Sequence, residues 1–236
     1  MVKEVTVTDA SLLGIECLAD LPSTVRAWLI QHAHGRRYAG GESILHCGEY
    51  SRDVYFVASG VVRVLYYSSV GREVVYRDMP AGTMFGELSA LDGHPRSADV
   101  HALDETFVVV MGHEAFMSLL ARETGFASHV LQRTASRVRE LSERVVEFST
   151  LNVDARVRME LLRHLRTDPA VPRGGRLQPM PTHQDIANRI GTHREAVTRA
   201  LSQLKRAGLI QRVGTALLIP DIERLRAASV DVSDCR

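Results

Sequence analysis

Cysteine is scarce in this chain. Cys17, Cys47 and Cys235 lie far apart, with none of the paired thiols at the intervals that a zinc or cluster site needs, so ordinary reduced thiols are expected. Long hydrophobic runs are missing too. No stretch approaches the ~20 apolar residues of a membrane span, and no basic flank precedes an apolar core at the N-terminus, which predicts a cytoplasmic protein with no membrane partner. Tryptophan occurs once, at Trp28, and on the apolar face of a helix it reads as packing. Charge of one sign is also lacking: 29 Lys and Arg stand against 28 Asp and Glu, a net of +1. An apolar share of 45% with 24% charged residues gives no sign of disorder, and 236 residues suffice for two cores.

The near-neutral total hides an asymmetry. Residues 152 to 236 carry 15 Lys and Arg against 9 Asp and Glu, a net of +6, which leaves −5 for residues 1 to 151. A basic C-terminal part hints at a polyanionic partner for that part alone.

Residues 9 to 34 read as a helical lead-in, with Leu21-Pro22-Ser23 as a helix start and Val25, Trp28, Leu29 and His32 at helical spacing. From Arg36 to Val110 the pattern turns to short β-rich runs. Candidate strands are Ser43 to His46, Asp53 to Val57, Val61 to Tyr67, Glu73 to Arg77, Ala98 to Ala102 and Thr106 to Met111, with glycines in the turns. Such spacing suggests a small sandwich or barrel. Histidines 46, 94, 101 and 113 are scattered through it, and nothing in their spacing favours metal or haem ligation over solvated or capping roles. A short helix from Glu114 to Leu120 precedes a long one from about Phe126 to Thr150. There Leu131, Thr134, Val138, Leu141, Val145 and Phe148 alternate at intervals of three and four, a seam that suits either a two-stranded coiled coil or an amphipathic helix packed on its own domain. Asn152 to Asp154 reads as an interdomain hinge. Val157, Leu161, Leu162 and Leu165 mark a further helix, and Asp168 to Pro181, with four prolines and two glycines, a loop or hairpin.

The segment Phe85 to Ala102, FGELSALDGHPRSADVHA, concentrates the chemistry. Gly86 lets backbone approach a ligand closely, and a short helix opening at Glu87 turns free amides outward. Arg96 offers a planar guanidinium able to grip one phosphate through two parallel hydrogen bonds, and Ser97 adds a hydroxyl. Glu87 carries the wrong sign for phosphate but suits a sugar hydroxyl. Together they fit a ligand with one phosphate charge and a free ribose hydroxyl, such as a cyclic mononucleotide. As an isolated motif the same residues would read as a surface turn with a solvated ion pair.

Phe85, Gly86, Glu87, Leu88, Arg96, Ser97 and Ala98 as they stand resemble the phosphate-binding cassette of the cyclic-AMP receptor protein (CRP/FNR) family of bacterial transcription regulators. The likeness runs over roughly residues 15 to 220. It implies an α+β chain in three parts: a cyclic-nucleotide-binding β-roll over 1–122, a coiled-coil dimerisation helix over 123–151, and a winged helix-turn-helix over 152–236. It also implies ligand contacts from the long helix, where an Arg nears the cassette's acid and a Thr-Ser pair reaches the adenine. Counted back from Leu151-Asn152-Val153, those positions are Arg137, Leu141 and Ser142. Leu141 departs from the pattern, since an aliphatic side chain cannot hydrogen-bond a base, and this leaves cyclic AMP against cyclic GMP open. Some relatives sense oxygen through an iron–sulfur cluster held by several N-terminal cysteines, a set absent here.

The run THQDIANRIGTHREAVTRALSQLKR, residues 182 to 206, is the second strong signal. Thr182 with Asp185 and Thr192 with Glu195 mark two helix starts, and Ile190-Gly191 turns the chain between them. Leu209 to Ile219, broken by Gly214, reads as a two-stranded wing. With the second helix in a major groove, His193, Arg194, Glu195 and Thr198 face the bases, with Arg199 one turn on. Arg pairs twice with guanine and Glu accepts from cytosine. The order Arg194-Glu195 then Arg199 resembles the family's base-reading pattern and implies TGTGA-like half-sites. Thr182 and His193 stand where the family places phosphate contacts, although His193 replaces a small hydroxyl residue.

The resulting expectation is a homodimeric, cytoplasmic, non-enzymatic regulator that binds double-stranded DNA, meets RNA polymerase and takes cyclic AMP or cyclic GMP as allosteric effector, with no metal. A regulator of the same architecture answering haem, a cyclic dinucleotide or nothing is opposed by Glu87, Arg96 and Ser97 and kept open by Leu141. An enzyme is opposed by the lack of a nucleophile-and-base pair. A nucleotide-binding module whose C-terminal helices bind protein is the third alternative.

Overall fold

The computed structural model describes residues 3–69, 71, 73–168, 171 and 173–228. The chain forms two compact units, Met1–Val138 and Arg139–Arg236, and the division falls inside its longest helix.

The first unit opens with β1 (Lys3–Val5) and three short helices, α1 (Asp9–Leu13), α2 (Glu16–Ala19) and α3 (Ser23–His32). The strands β2 (Ala33–Tyr38), β3 (Ser43–Leu45), β4 (Val54–Ser59), β5 (Val61–Tyr67), β6 (Glu73–Pro80) and β7 (Met84–Phe85) lead to α4 (Glu87–Asp92). Then come β8 (Asp99–Ala102), β9 (Thr106–Met111), α5 (His113–Arg122) and α6 (Thr124–Thr150). Two antiparallel sheets result, ordered β1-β2-β9-β4-β7 and β3-β8-β5-β6.

Period-two alternation builds both cores at once. On β9, Val108 and Val110 join Tyr55, Val57, Val62 and Val100 in one apolar cluster, while Phe107, Val109 and Met111 face the other way. There they meet Phe56 and Val54 of β4, Leu12, Leu18 and Leu29 of the leading helices, and Phe116, Phe126 and Val130 of α5 and α6. A strand buried on both faces reads as a continuous apolar run, which is why β9 is legible as TFVVVM. Trp28 stacks on His32 and packs against this cluster, as expected.

Two expectations need correcting. Ala33 and His34 belong to β2 and not to the helical lead-in, because the sequence AHGRRY is held on both sides by β1 and β9. The two-residue β7 lies outside every expected strand, and its pairing of Tyr55 with Phe85 carries the chain directly into the cassette.

The second unit holds the end of α6, then α7 (Val153–Arg163), β10 (Arg166–Thr167), β11 (Gly175–Leu177), α8 (His183–Ile190), α9 (Arg194–Arg206), β12 (Gln211–Val213), β13 (Ala216–Ile219) and α10 (Ile222–Ala227). Its strands are ordered β10-β11-β13-β12. The wing is therefore the antiparallel β12–β13 pair, backed by β11, which lies within the expected loop or hairpin region, and beyond it by β10, which lies just before that region. Pro169, Ala170 and Pro172 of that region, and Cys235 and most of the polar tail expected from about Ala227, lie outside the described residues. One apolar cluster unites Val157 and Leu161 of α7 with Ile186, Ala187 and Ile190 of α8 and with Val197, Ala200, Leu201 and Leu204 of α9.

Thr182 caps α8 as expected: its hydroxyl accepts from the Asp185 amide at 3.0 Å and its amide donates to the Asp185 carboxylate at 3.3 Å. The start of α9 differs. Its N-cap is His193, with no side-chain cap bond, while Thr192 is buried. Gly191 closes α8 at a φ of 65°, and the Thr192 amide bonds back to the Ala187 carbonyl at 3.0 Å. Thr192 is thus spent in the turn, and the helix starts one residue later.

Candidate functional site

Gly86 sits between β7 and α4 with a φ of 83°, a left-handed conformation that an L side chain strains to adopt. A Cβ there would also lie 2.8 Å from Arg96 Nη1 and 3.0 Å from the Asp53 carbonyl oxygen. Glycine is required twice over at this point.

Arg96 is 3% exposed and anchored on three sides. Nε donates to Ser51 Oγ at 2.8 Å, Nη1 to the Gly86 carbonyl at 2.8 Å and Nη2 to the Asp53 carbonyl at 2.7 Å. The guanidinium lies 5.7 Å from the centre of the Tyr55 ring, which stacks on Phe85. Burial, then the nearby Asp53, pushes the Tyr55 hydroxyl up to about 12, so it stays neutral beneath the cation. Main chain holds this position as well: Gly48 N donates to the Arg96 carbonyl at 2.8 Å and Arg96 N to the Glu49 carbonyl at 2.9 Å. A guanidinium has five N–H bonds, so these contacts leave one on each terminal nitrogen. That remaining pair is what a doubly gripped phosphate requires. The residues present therefore fit a singly charged phosphodiester.

Glu87 opens α4, half-buried. Burial pushes its carboxyl up, while its own backbone N–H and the charges of Arg77, Arg133 and Arg137 pull the other way. Arginines from β6 and α6 thus act on this acid. Leu88 is 45% exposed and Ser97 is exposed beside the cassette. Arg137 acts on both Glu87 and Tyr76. Leu141 and Ser142 lie on the exposed part of α6 that belongs to the second unit. Ser51, Asp53 and Tyr55, which hold Arg96, escaped sequence reasoning, as did Arg77. Arg133 had a usable signal: it precedes Arg137 by four residues and shares its helix face.

In the second unit His193, Arg194, Glu195, Thr198 and Arg199 are all exposed, while Val197, Ala200, Leu201 and Leu204 face the core. One face of α9 is bound inward and the other offers a carboxylate and two guanidinium groups. Thr198 is less free than its position suggested: its hydroxyl donates to the Arg194 carbonyl at 2.9 Å and lies 2.8 Å from His183 Nδ1.

Behind that face, Glu160 of α7 is 1% exposed and collects cations from three elements. Its carboxylate lies 3.5 Å from Arg144 Nη2 of α6, 2.9 Å from Arg163 Nη1, 2.9 Å from His164 Nε2 and 3.9 Å from Arg189 Nε of α8. Arg163 also pairs with Glu147 of α6. Arg144 Nη1 and Arg156 Nη1 donate to the carbonyls that end α8, Arg189 at 3.0 Å and Ile190 at 2.9 Å. Phe148 lies under the Arg156 guanidinium and against Gly191. The last turns of α6 are therefore fastened to the helix-turn-helix on both sides of the expected hinge at Asn152, which itself N-caps α7.

Among the described residues no helix is long and apolar enough to cross a membrane, and no group of three or more His, Cys, Asp or Glu could hold a metal ion. Cys17 is buried, which pushes its thiol up to about 12, and Cys47 is exposed.

A two-sheet β domain with a buried arginine held against a left-handed glycine, followed by a winged helix-turn-helix, is the architecture of an effector-responsive transcription regulator. Residues 35–123 match the cyclic nucleotide-binding domain family and residues 155–228 the Crp-like helix-turn-helix domain family. The chain is similar to the cAMP-activated global transcriptional regulator CRP of Pasteurella multocida, 26% identical over 193 residues that cover 81% of this chain and 92% of that one. It is similar as well to the cAMP-activated regulator Vfr of Pseudomonas aeruginosa, 28% identical over 81% and 91% of the two chains. Among solved structures, a CooA mutant from Carboxydothermus hydrogenoformans shares the fold, with a TM-score of 0.77 and 20% identity over 94% of this chain and 97% of that one. So does the c-di-GMP-responsive regulator CLP of Xanthomonas campestris, with a TM-score of 0.67 and 22% identity over 83% and 97%. The chain belongs to the CRP/FNR family of cyclic-nucleotide-binding transcription regulators.

Proposed function

We propose that this chain is a homodimeric regulator whose binding to TGTGA-like palindromes is controlled by a cyclic mononucleotide, cyclic AMP before cyclic GMP. The observation that carries this is the Arg96 guanidinium, buried yet with one N–H left on each terminal nitrogen, beside a glycine whose backbone and surroundings disfavour any side chain. Arg96 and Ser97 take the phosphate, Gly86 and Leu88 bring backbone near it, and Glu87 accepts from the ribose hydroxyl. Arg137 balances that acid, and Ser142 meets the base.

The exposed apolar side chains Leu131, Leu141 and Val145 supply the dimer seam along α6. Ligand at the roll orders the paired helices through Arg137 and Ser142, which sets both copies of α9 in register with half-sites about one helical turn apart. His193, Arg194, Glu195, Thr198 and Arg199 then read or grip the duplex together with Thr182, and RNA polymerase is the onward partner. No catalytic role is assigned.

Leu141 favours a second reading, in which the same architecture answers another effector. Calorimetric titration with cyclic AMP and cyclic GMP separates the two: micromolar or tighter binding of either supports cyclic-nucleotide control, and binding of neither defeats it.

A further inference from the structure

Of the three acceptors that hold the Arg96 guanidinium, two are main-chain carbonyls, those of Gly86 and Asp53, and one is a side chain, the Ser51 hydroxyl. Ser51 lies in the loop between β3 and β4, and main-chain bonds set the position of that loop. Gly48 N donates to the Arg96 carbonyl at 2.8 Å and Arg96 N to the Glu49 carbonyl at 2.9 Å. Cys47 N donates to the Asp99 carboxylate at 3.3 Å. The loop is thus stitched to the main chain of the same residue whose side chain it receives.

A guanidinium offers an oxyanion two forks. One is side-on, across Nε and Nη2; the other is end-on, across Nη1 and Nη2. Nε has a single hydrogen, and Ser51 Oγ takes it at 2.8 Å. The side-on fork is therefore closed, and what remains is one N–H on each terminal nitrogen. Without the hydroxyl, Nε–H would be a buried charged donor short of a partner, and the group would gain by turning about its Cδ–Nε bond toward another oxygen.

We propose that Ser51 is a positioning residue for the effector: by holding Nε it presents the end-on fork alone and fixes the direction from which the phosphate of a cyclic nucleotide docks. This rests on the cyclic-nucleotide reading above. Each exocyclic oxygen of the phosphate meets one terminal nitrogen, and Ser51 touches Arg96, not the ligand. Its effect on affinity is one of population. The apparent Kd is the intrinsic Kd divided by the fraction of molecules whose guanidinium presents that fork. With three anchors the fraction is close to one. With the Nε anchor gone, the group divides between the end-on arrangement and turned ones, and the Kd rises in proportion. Threonine keeps a hydroxyl on the same Cβ and so keeps the anchor; alanine removes the hydroxyl and little else.

The test uses the full-length protein, with cyclic AMP and cyclic GMP as parallel probes in calorimetric titrations of the native chain, Ser51→Ala and Ser51→Thr. Ser51→Ala is expected to weaken nucleotide binding about tenfold, and Ser51→Thr to stay within about twofold of native. A second readout reports the anchor itself. In protein carrying isotope-labelled arginine, the Arg96 Nε–H resonance is assigned by its loss in Arg96→Gln. In the native chain it is expected to stay in place as nucleotide saturates the site, because Ser51 holds that hydrogen in both states. In Ser51→Ala it is expected to move upfield before any nucleotide is added. Native affinity in Ser51→Ala overturns the inference. So does a large Nε–H shift when nucleotide is added to the native chain, since the phosphate then takes the side-on fork. Both of these results leave the cyclic-nucleotide reading standing, whereas failure of the native chain to bind either nucleotide defeats that reading and the inference with it.

Discussion

Arg96 and Gly86 form a single structural unit: Nη1 donates to the Gly86 carbonyl at 2.8 Å and lies equally close to where a Gly86 side chain would begin. Neither residue can change alone. Gly86→Ala meets both a left-handed backbone, at about 1–2 kcal/mol, and the guanidinium itself. Arg96→Gln leaves the Gly86 and Asp53 carbonyls short of donors, at about 1–3 kcal/mol each. Both variants are expected to lower the urea midpoint and to weaken cyclic nucleotide tenfold or more by calorimetry. Native affinity in Arg96→Gln would remove the guanidinium from the phosphate site.

Glu160 should dominate the acid stability of the C-terminal unit. Burial alone would raise its carboxyl, but the His164 hydrogen bond and the Arg144, His164 and Arg189 charges outweigh burial and hold it at about 2. A depressed carboxyl contributes stability above its unfolded value of 4.5 and loses it as pH falls from there toward 2. At 1.36 kcal/mol per unit this amounts to about 3 kcal/mol. Glu160→Gln is expected to cost about 3–5 kcal/mol at pH 7, because it strands buried cations, and to flatten the dependence below pH 4.5. Urea denaturation followed across pH measures both; an unchanged acid limb would mean that Glu160 is not the group responsible.

The proposed dimer seam is tested by charge. Leu131 is 71% exposed and Val145 64%, and they are fourteen residues apart on α6, at the same heptad phase. Glutamate at either position places a charge against its symmetry mate and should shift sedimentation toward monomer. Denaturation of the isolated protomer should stay within about 0.5 kcal/mol, as for an exposed site. An undisturbed dimer would assign the seam to packing within the chain.

Arg199→Ala is expected to cost about 1–3 kcal/mol at a TGTGA palindrome and to relax preference at one base pair. Competition binding with single-position variants of the site measures it. An equal loss on every sequence would make Arg199 a phosphate contact.

How far the sequence carried follows from the physics of each element. β9 was legible as a short continuous apolar run and α9 by burial that repeats at about 3.6 residues, and both signals are written locally. β2 was not, since AHGRRY has no apolar alternation and is extended only because strands flank it on both sides. Gly86, Glu87 and Arg96 could be read as a cassette because they lie within eleven residues of one another. The partners of Arg96 at Ser51 and Asp53 could not, because they lie 45 and 43 residues away and offer a hydroxyl and a main-chain carbonyl oxygen. Glu160 carries no local signal in the sequence. Its burial depends on Arg144 and Arg189, which reach it from other helices.

The coupling of the roll to the DNA reader is tested most directly by measuring affinity for a TGTGA palindrome in the presence and absence of saturating cyclic AMP, with cyclic GMP in parallel. Cyclic-nucleotide control predicts that at least one of them tightens binding tenfold or more, and that Arg96→Gln abolishes the response. Equal affinity with and without both nucleotides would contradict it.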